Sequence, residues 1–233
     1  MASEWWYADH YTKNGLAKQR LYPNEELVRF ISRRYGHIPF AARYSLDLLE
    51  VGCGAGSNLW ALAREGFHAY GLDSVARAIG ICREMLDRWR VSAELEIGDI
   101  KNLPYPAERF DCVVDVFSSY CLRLEGFRTF LREAYRVLKP GGRFFSYAPS
   151  KGSDAFAKAA AADLLDPHTL NGIVKPGTAY YGNFYPYRFI LSAEYRYELQ
   201  EAGFTVLYLE TVARTYGGEQ ERVEFVVIEG QKA

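Results

Sequence analysis

The sequence is short of several things. It holds only four cysteines in 233 residues, Cys53, Cys82, Cys112 and Cys121. They form no CxxC pair and have no histidine at metal-ligand spacing, which excludes a cysteine-built metal site and a disulfide framework. At least two of them sit in apolar runs, where a thiol behaves as a small hydrophobe. Four reduced cysteines of this kind point to a cytoplasmic protein. No apolar run approaches the ~18 residues of a membrane span, so no membrane partner is expected. The opening MASEWWYADHYTKNG has no basic stretch ahead of an apolar one and does not read as a secretory signal. An excess of charge is missing too. With 28 basic and 29 acidic side chains the formal net charge is −1, which argues against a nucleic-acid partner. There is no internal repeat and no low-complexity linker. Nothing in the pattern implies an oligomeric state.

Aromatic rings are what the chain has in excess. Its 18 tyrosines, 14 phenylalanines and 4 tryptophans make it 15% aromatic. The tyrosines are unevenly placed. Residues 1–44 contribute five and residues 180–197 six, against five in residues 45–179. Two short regions therefore carry most of the surplus.

Between those regions, strand-like and helix-like segments alternate. Residues 45–51 form an apolar run that ends in GCGAG. Residues 58–65 carry Leu59, Leu62 and Ala63 at helical spacing, and Ser57 suits the N-cap. A second strand over 67–72 ends at Asp73. A helix over 75–89 places Ile79, Cys82, Leu86 and Trp89 three or four apart. Strands follow at 93–97 and 110–117, the latter nearly all apolar, as a strand buried on both faces should be. A helix over 125–138 is ended by Lys139-Pro140-Gly141-Gly142, and 143–148 is a fifth strand. This rhythm predicts an α/β fold with a parallel sheet and helices on both faces. Residues 191–203 then read as a helix. Strands at 204–216 and 222–229, joined through Gly217-Gly218, read as an antiparallel hairpin. The whole chain, 1–233, is expected to be one domain. It divides into an N-terminal helical lid (1–44), a ligand-binding core (45–148), a cap insertion without strand character (149–190) and a C-terminal helix and hairpin (191–233). An insertion of that length between sheet elements is more often functional than a plain loop.

The chemistry concentrates where the strands end. Glycines in Glu50-Val51-Gly52-Cys53-Gly54-Ala55-Gly56 let the backbone turn sharply and approach a ligand closely. Ligands in such sheets bind outside the carboxyl ends of the strands. Asp73 ends the second strand, where a carboxylate can accept from two ribose hydroxyls. Ser74 is free to cap the next helix, leaving Asp73 for a ligand. These features suit a nicotinamide dinucleotide or an S-adenosyl nucleoside. The spacing separates them, because Gly52-x-Gly54-x-x is followed by Ser57 rather than by the glycine or alanine of a dinucleotide fingerprint.

Four segments in order, LLEVGCGAGSN, GLDSV, GDIKNLPYPAERFDCVV and AYRVLKPGG, resemble the class I S-adenosylmethionine-dependent methyltransferases, of the small-molecule group that includes the ubiquinone and menaquinone enzymes. The resemblance covers about 46–148. It implies a Rossmann-like, seven-stranded, mostly parallel sheet closed by the C-terminal antiparallel hairpin. It also implies S-adenosyl-L-methionine as cofactor and S-adenosyl-L-homocysteine as product. By the same resemblance, Glu50, Gly52, Cys53, Gly54 and Gly56 would form the loop beneath the cofactor's methionine and ribose. Asp73 would bind the ribose and Ser74 would lie beside the adenine. Asp99 would accept from the adenine amino group, with the Ile100 amide at the ring. Asp115 and Val116 would stand by the methionine amino group and sulfonium. Tyr11 and Arg20, from the N-terminal segment, join the expected cofactor contacts, Arg20 at the carboxylate.

The acceptor is read less directly. The fourth-strand sequence Asp115-Val116-Phe117-Ser118 lacks the Asp/Asn-Pro-Pro-aromatic motif of amino-methylating DNA enzymes, and it does not match the quinone enzymes there. Displacement at a sulfonium methyl rests on alignment and desolvation, so a base is needed only if the acceptor must lose a proton. His10 and His168 lie in the added segments and are the candidate bases. Trp5, Tyr7, Ser119, Tyr180, Tyr181, Phe184, Tyr185 and Tyr187 are the candidate walls of a pocket for a small aromatic or sugar-like acceptor, methylated at oxygen or nitrogen. Ring faces would also attract the sulfonium charge, by about 0.5–2 kcal/mol. An RNA or protein methyltransferase, a non-catalytic binding protein on the cofactor fold, and a dinucleotide oxidoreductase are the competing readings.

Overall fold

A computed structural model describes residues 2–174, 176–178 and 180–233, and the side chains of these apart from 2–6 and 14. The chain starts with helices α1 (Ala2–Asn14), α2 (Glu25–Tyr35) and α3 (Phe40–Arg43). Then β1 (Asp47–Val51), α4 (Leu59–Arg64), β2 (His68–Asp73), α5 (Ala76–Trp89), β3 (Glu94–Ile97) and β4 (Phe110–Val116) alternate. Helix α6 (Leu124–Val137) runs directly into β5 (Leu138–Pro149). After α7 (Asp154–Ala157) come three short strands, β6 (Leu164–Asp166), β7 (Thr169–Asn171) and β8 (Pro186–Arg188). Helix α8 (Ser192–Glu201) and the hairpin β9 (Thr205–Tyr216) and β10 (Glu221–Gln231) complete the described chain.

The seven-stranded sheet has the order β3-β2-β1-β4-β5-β10-β9. The first five strands are parallel and the last pair is antiparallel, so the expected topology holds. Its two faces carry separate apolar layers. On one, Leu27 and Phe30 of α2, Leu59 of α4 and Ile79 and Met85 of α5 are buried. On the other, Phe127, Phe130 and Leu131 of α6 join Tyr195 and Leu199 of α8. Each such side chain withdrawn from water contributes about 1.5–3 kcal/mol, several times what helix propensity adds per residue. Burial of these stripes therefore decides where the helices lie.

The structure corrects three local readings. The helix ends as expected, at Val137, but the fifth strand does not wait for residue 143: β5 starts at Leu138 and absorbs Lys139–Gly142 in a register shift against β4. The cap is not without strands: β6, β7 and β8 form a small antiparallel sheet. Three-residue strands are too short to show periodicity. Ser57 is not the cap of α4; Asn58 takes that position and Ser57 accepts a hydrogen bond from Arg20. The N-terminal 44 residues also divide in two. Helix α2 is capped by Asn24, whose Oδ1 accepts from Glu26 N and Leu27 N at 2.9 and 3.2 Å. It is fastened to β10 by Arg33 and Arg34, which both donate to the fully buried Glu229, Arg34 at 2.6 Å. Tyr7 and Tyr11 of α1, by contrast, lie over the ends of β1 and β2.

Candidate functional site

At the carboxyl ends of β1, β2 and β4 the chain leaves a pocket of about 110 Å³. Its lining includes Gly52, Asp73, Ser74, Asp99 and Ile100 from the sequence-predicted set, with Tyr7 and Tyr11 above them. The glycines are there for a steric reason. Gly52 has φ +62°, and a Cβ on it would stand 1.9 Å from Ser118 Oγ. Gly54 has φ +53°, and a Cβ there would meet the Tyr11 hydroxyl at 2.7 Å. Few L-residues tolerate that backbone, and none would fit beneath the tyrosine. Gly56 lies against Cys82 rather than facing the pocket.

Asp73 is more committed than expected. Its Oδ1 accepts from Val75 N and its Oδ2 from Gly54 N, both at 2.9 Å. It thus ties the glycine loop to the start of α5, the task expected of Ser74. Burial holds its carboxyl above the usual aspartate value, against the pull of those two N–H donors. Each oxygen keeps a second lone pair for a ligand. Asp99 accepts from Lys101 N at 2.9 Å and pairs with its Nζ at 3.1 Å.

Glu50 lies beneath the loop, 2% exposed. Its Oε1 accepts from Asn58 Nδ2 at 2.7 Å, while Oε2 is buried without a hydrogen-bond partner. Burial pushes its carboxyl up to about 8; Asn58 and Arg20 pull it down and Asp73 and Asp115 push it further up. Arg20 reaches the loop from above, donating to Ser57 Oγ at 3.1 Å and Asn58 Oδ1 at 2.9 Å.

Four expected contacts stand elsewhere. Cys53 is turned into the core, where its contact with the Cys82 thiol and its burial push its thiol up. Asp115 is 1% exposed and receives Ser119 N, Ser119 Oγ and Ser146 Oγ at 3.0, 2.6 and 2.9 Å. It is a buried anchor for the turn after β4, not a surface for a ligand. Ser119 is spent on that same anchor and on Arg188 Nη2 at 3.2 Å, so it faces no acceptor. Val116 is packed in the core layer with Tyr147.

The aromatic walls are split. The hydroxyls of Tyr7, Tyr120 and Tyr185 converge. Tyr185 lies 2.8 Å from Tyr7 and 2.7 Å from Tyr120, and Tyr7 also bonds Tyr120. Burial raises all three phenols, Tyr185 to about 12. They are therefore neutral hydrogen-bonding groups at physiological pH. Tyr187 and Tyr180 pack on this cluster. Tyr181 and Phe184 do not. They are 51% and 58% exposed and contact each other edge-on at the surface, because the Gly182 turn between them points outward. The side chain of Trp5 lies outside the described residues.

Neither candidate base is placed at the pocket wall. His168 sits in the β6–β7 turn, with Nδ1 3.5 Å from Glu194, and its burial, with Lys151 nearby, lowers its pKa. His10 is on α1, edge-on to Tyr11. Sequence reasoning missed Phe117 and Ser118, which line the pocket, and Asn58, which joins Glu50 to Arg20. It also missed Arg188, 1% exposed, which donates to Leu122 O and Ser119 O and lies 3.5 Å over the Phe127 ring. No local signal marks that arginine, since its partners are carbonyls about 70 residues away.

Comparison with known proteins bears on the fold and the class of reaction. Residues 48–142 match a family model described as a methyltransferase domain. Phthiotriol/phenolphthiotriol dimycocerosates methyltransferase of Mycobacterium tuberculosis is 39% identical over 145 residues, 61% of this chain and 50% of that protein. Fatty-acid O-methyltransferase of Mycolicibacterium smegmatis is 41% identical over 100 residues, 42% of this chain and 35% of that protein. The chain spans half or less of the length of these curated relatives. Among solved structures, 1,6-didemethyltoxoflavin-N1-methyltransferase of Burkholderia thailandensis, solved with S-adenosylhomocysteine, superposes with a TM-score of 0.61 at 16% identity, covering 98% of this chain and 88% of that one. Residues 48–142 are thus a methyltransferase domain, set in a chain with the Rossmann-like fold of the class I S-adenosylmethionine-dependent methyltransferases.

Proposed function

We propose that this chain transfers a methyl group from S-adenosyl-L-methionine to an oxygen or nitrogen of a small acceptor. The observation that carries this reading is the set of hydrogen-bond acceptors at the strand ends. A buried carboxylate oxygen of Glu50 has no partner, below a glycine loop that leaves room for a ligand, with Asp73 and Asp99 in the same lining. That set fits a nucleoside carrying an ammonium group. Asp73 would accept from ribose hydroxyls, Asp99 from the adenine amino group, and Ser74 and Ile100 would flank the ring. Glu50 would face the ammonium, and Arg20 would offer its charge to the carboxylate. When bound, the cofactor supplies a methyl group already activated on a sulfonium.

What the chain adds is alignment and exclusion of water. Tyr11 lies on the glycine loop, and Tyr7 is held by Tyr120 and Tyr185. A pocket of about 110 Å³ is below the ~300 Å³ at which ligand sites begin. Helix α1 must therefore lift to admit the cofactor and settle over it. The neutral tyrosine hydroxyls would orient an acceptor oxygen or nitrogen, and an acceptor that is itself acidic would need no histidine. The names of the relatives, a dimycocerosate and a fatty-acid methyltransferase, favour an acceptor with an apolar body over a sugar-like one. Incubation with methyl-labelled cofactor and a panel of fatty acids, phenols and amines tests this. Label should pass to at least one acceptor and should stop with Asp73→Ala. Label retained by Asp73→Ala would refute the site.

A further inference from the structure

A second and larger cavity lies between the cap and the β9–β10 hairpin, about 680 Å³ in volume. That falls within the ~300–1,000 Å³ of small-molecule sites. Its described lining includes Ala155, Ala159, Leu170, Ile173 and Val174 of the cap and Tyr216 of the hairpin. Leu170 and Ile173 are each 3% exposed, whereas Val174 and Tyr216, at 59% and 45%, present apolar surface to the solvent. Lys158 also lines the cavity but is paired with Asp154 at 2.9 Å, so this part of the rim presents a neutralised pair.

This cavity is not remote from the first. Leu170 and Ile173 belong to the buried cluster of Tyr120, Tyr185, Tyr187 and Phe189, on which Tyr180 and Phe117 pack. The Tyr180 ring lies 6.4 Å from that of Phe117, and Phe117 lines the pocket at the strand ends. Burial raises the Tyr180 phenol, and the charges it feels include, after Tyr147, those of Tyr216 and Glu221, both on the cavity wall. A layer of aromatic rings thus has the cavity on one side and the proposed donor pocket on the other.

We infer that the cap–hairpin cavity holds the body of the methyl acceptor, and that this body is a long aliphatic chain whose polar end passes Tyr180 toward Phe117. The inference rests on the methyl-transfer reading above and names the substrate class of the same site. A chain suits the cavity because its floor is aliphatic. A sugar could pair hydroxyls only where Asp163, Thr178, Gln220 and Glu221 line the cavity; those facing Leu170 and Ile173 would stay unpaired, which costs affinity. Apolar contact with Val174 and Tyr216 would remove from water the surface that those side chains now expose.

The test uses the whole chain and a fluorescent fatty acid, cis-parinaric acid, as probe, with S-adenosylhomocysteine binding measured beside it. Wild-type protein should bind the probe saturably and release it to palmitate. Val174→Asp, at an exposed position, and Ala155→Trp, which fills the cavity, should each weaken probe binding about tenfold or more. Both should keep S-adenosylhomocysteine affinity within about twofold, since neither touches the strand-end pocket. Probe affinity unchanged in both variants, or no saturable binding to wild type, would overturn the inference. Loss of S-adenosylhomocysteine binding by wild type would strike the methyl-transfer reading instead, while the probe signal still decides what the cavity holds.

Discussion

Glu50→Gln separates two consequences of burying a carboxyl beneath the glycine loop. Burial lifts the Glu50 pKa from 4.5 to about 8 in the folded chain. The folded state therefore holds a proton that the unfolded state releases above pH ~4.5, and stability falls as pH rises from there to about 8. At ~1.4 kcal/mol per pH unit, the penalty reaches at most about 5 kcal/mol above pH 8. Glutamine keeps the Oε1 acceptor for Asn58 and cannot ionise. Urea unfolding of both proteins at pH 5 and pH 8.5 reads the difference. The stability of Glu50→Gln relative to wild type should rise by several kcal/mol between the two pH values, and up to about 5. The same variant should bind S-adenosylhomocysteine less well, because an ammonium beside Glu50 favours its charged form. Wild-type binding near pH 7 should then release a proton, measurable by calorimetry in buffers of different ionisation heat, and the variant should release less. Parallel pH–stability curves for the two proteins would refute the burial argument.

Three other substitutions probe separate parts of the site. Asp73→Ala removes the acceptor of Gly54 N and Val75 N as well as the proposed ribose contacts; S-adenosylhomocysteine affinity measured by calorimetry should fall about a hundredfold. Tyr7→Phe deletes the hydroxyl that joins α1 to Tyr120 and Tyr185. At about 1 kcal/mol for such a bond, S-adenosylhomocysteine should dissociate roughly fivefold faster in stopped flow, and an unchanged rate would remove α1 from the role of lid. Arg188→Met leaves the carbonyls of Ser119 and Leu122 without their buried donor. It should cost about 3 kcal/mol in urea unfolding.

The legible parts of the fold are those that depend on near-neighbour pattern. Strand β4 was visible because seven successive residues, Phe110–Val116, are almost all apolar, and α5 because Ile79, Cys82 and Leu86 recur at helical spacing. The glycine loop, Asp73 and Asp99 were legible because their chemistry is tied to strand ends. What stayed hidden depends on partners far along the chain. Asp115 looks like a ligand-facing carboxylate until the Ser119 and Ser146 hydroxyls close on it. Tyr181 and Phe184 share a stripe with Tyr185 and Tyr187, yet the Gly182 turn sends them outward. The β6–β8 strands are only three residues long each, and the sheet they make is stabilised by Tyr187, Phe189 and the buried Arg188 rather than by local propensity.

The proposed chemistry stands on the glycine loop and Asp73 holding an S-adenosyl nucleoside. Calorimetric titration of the full chain with S-adenosylhomocysteine, wild type against Asp73→Ala, tests it most directly. Wild type should show saturable one-to-one binding, with a dissociation constant on the order of 1–100 μM, near metabolite-range affinities, and the variant a loss of about two orders of magnitude. No heat with wild type at ~100 μM ligand, or equal affinity in the two proteins, would contradict it.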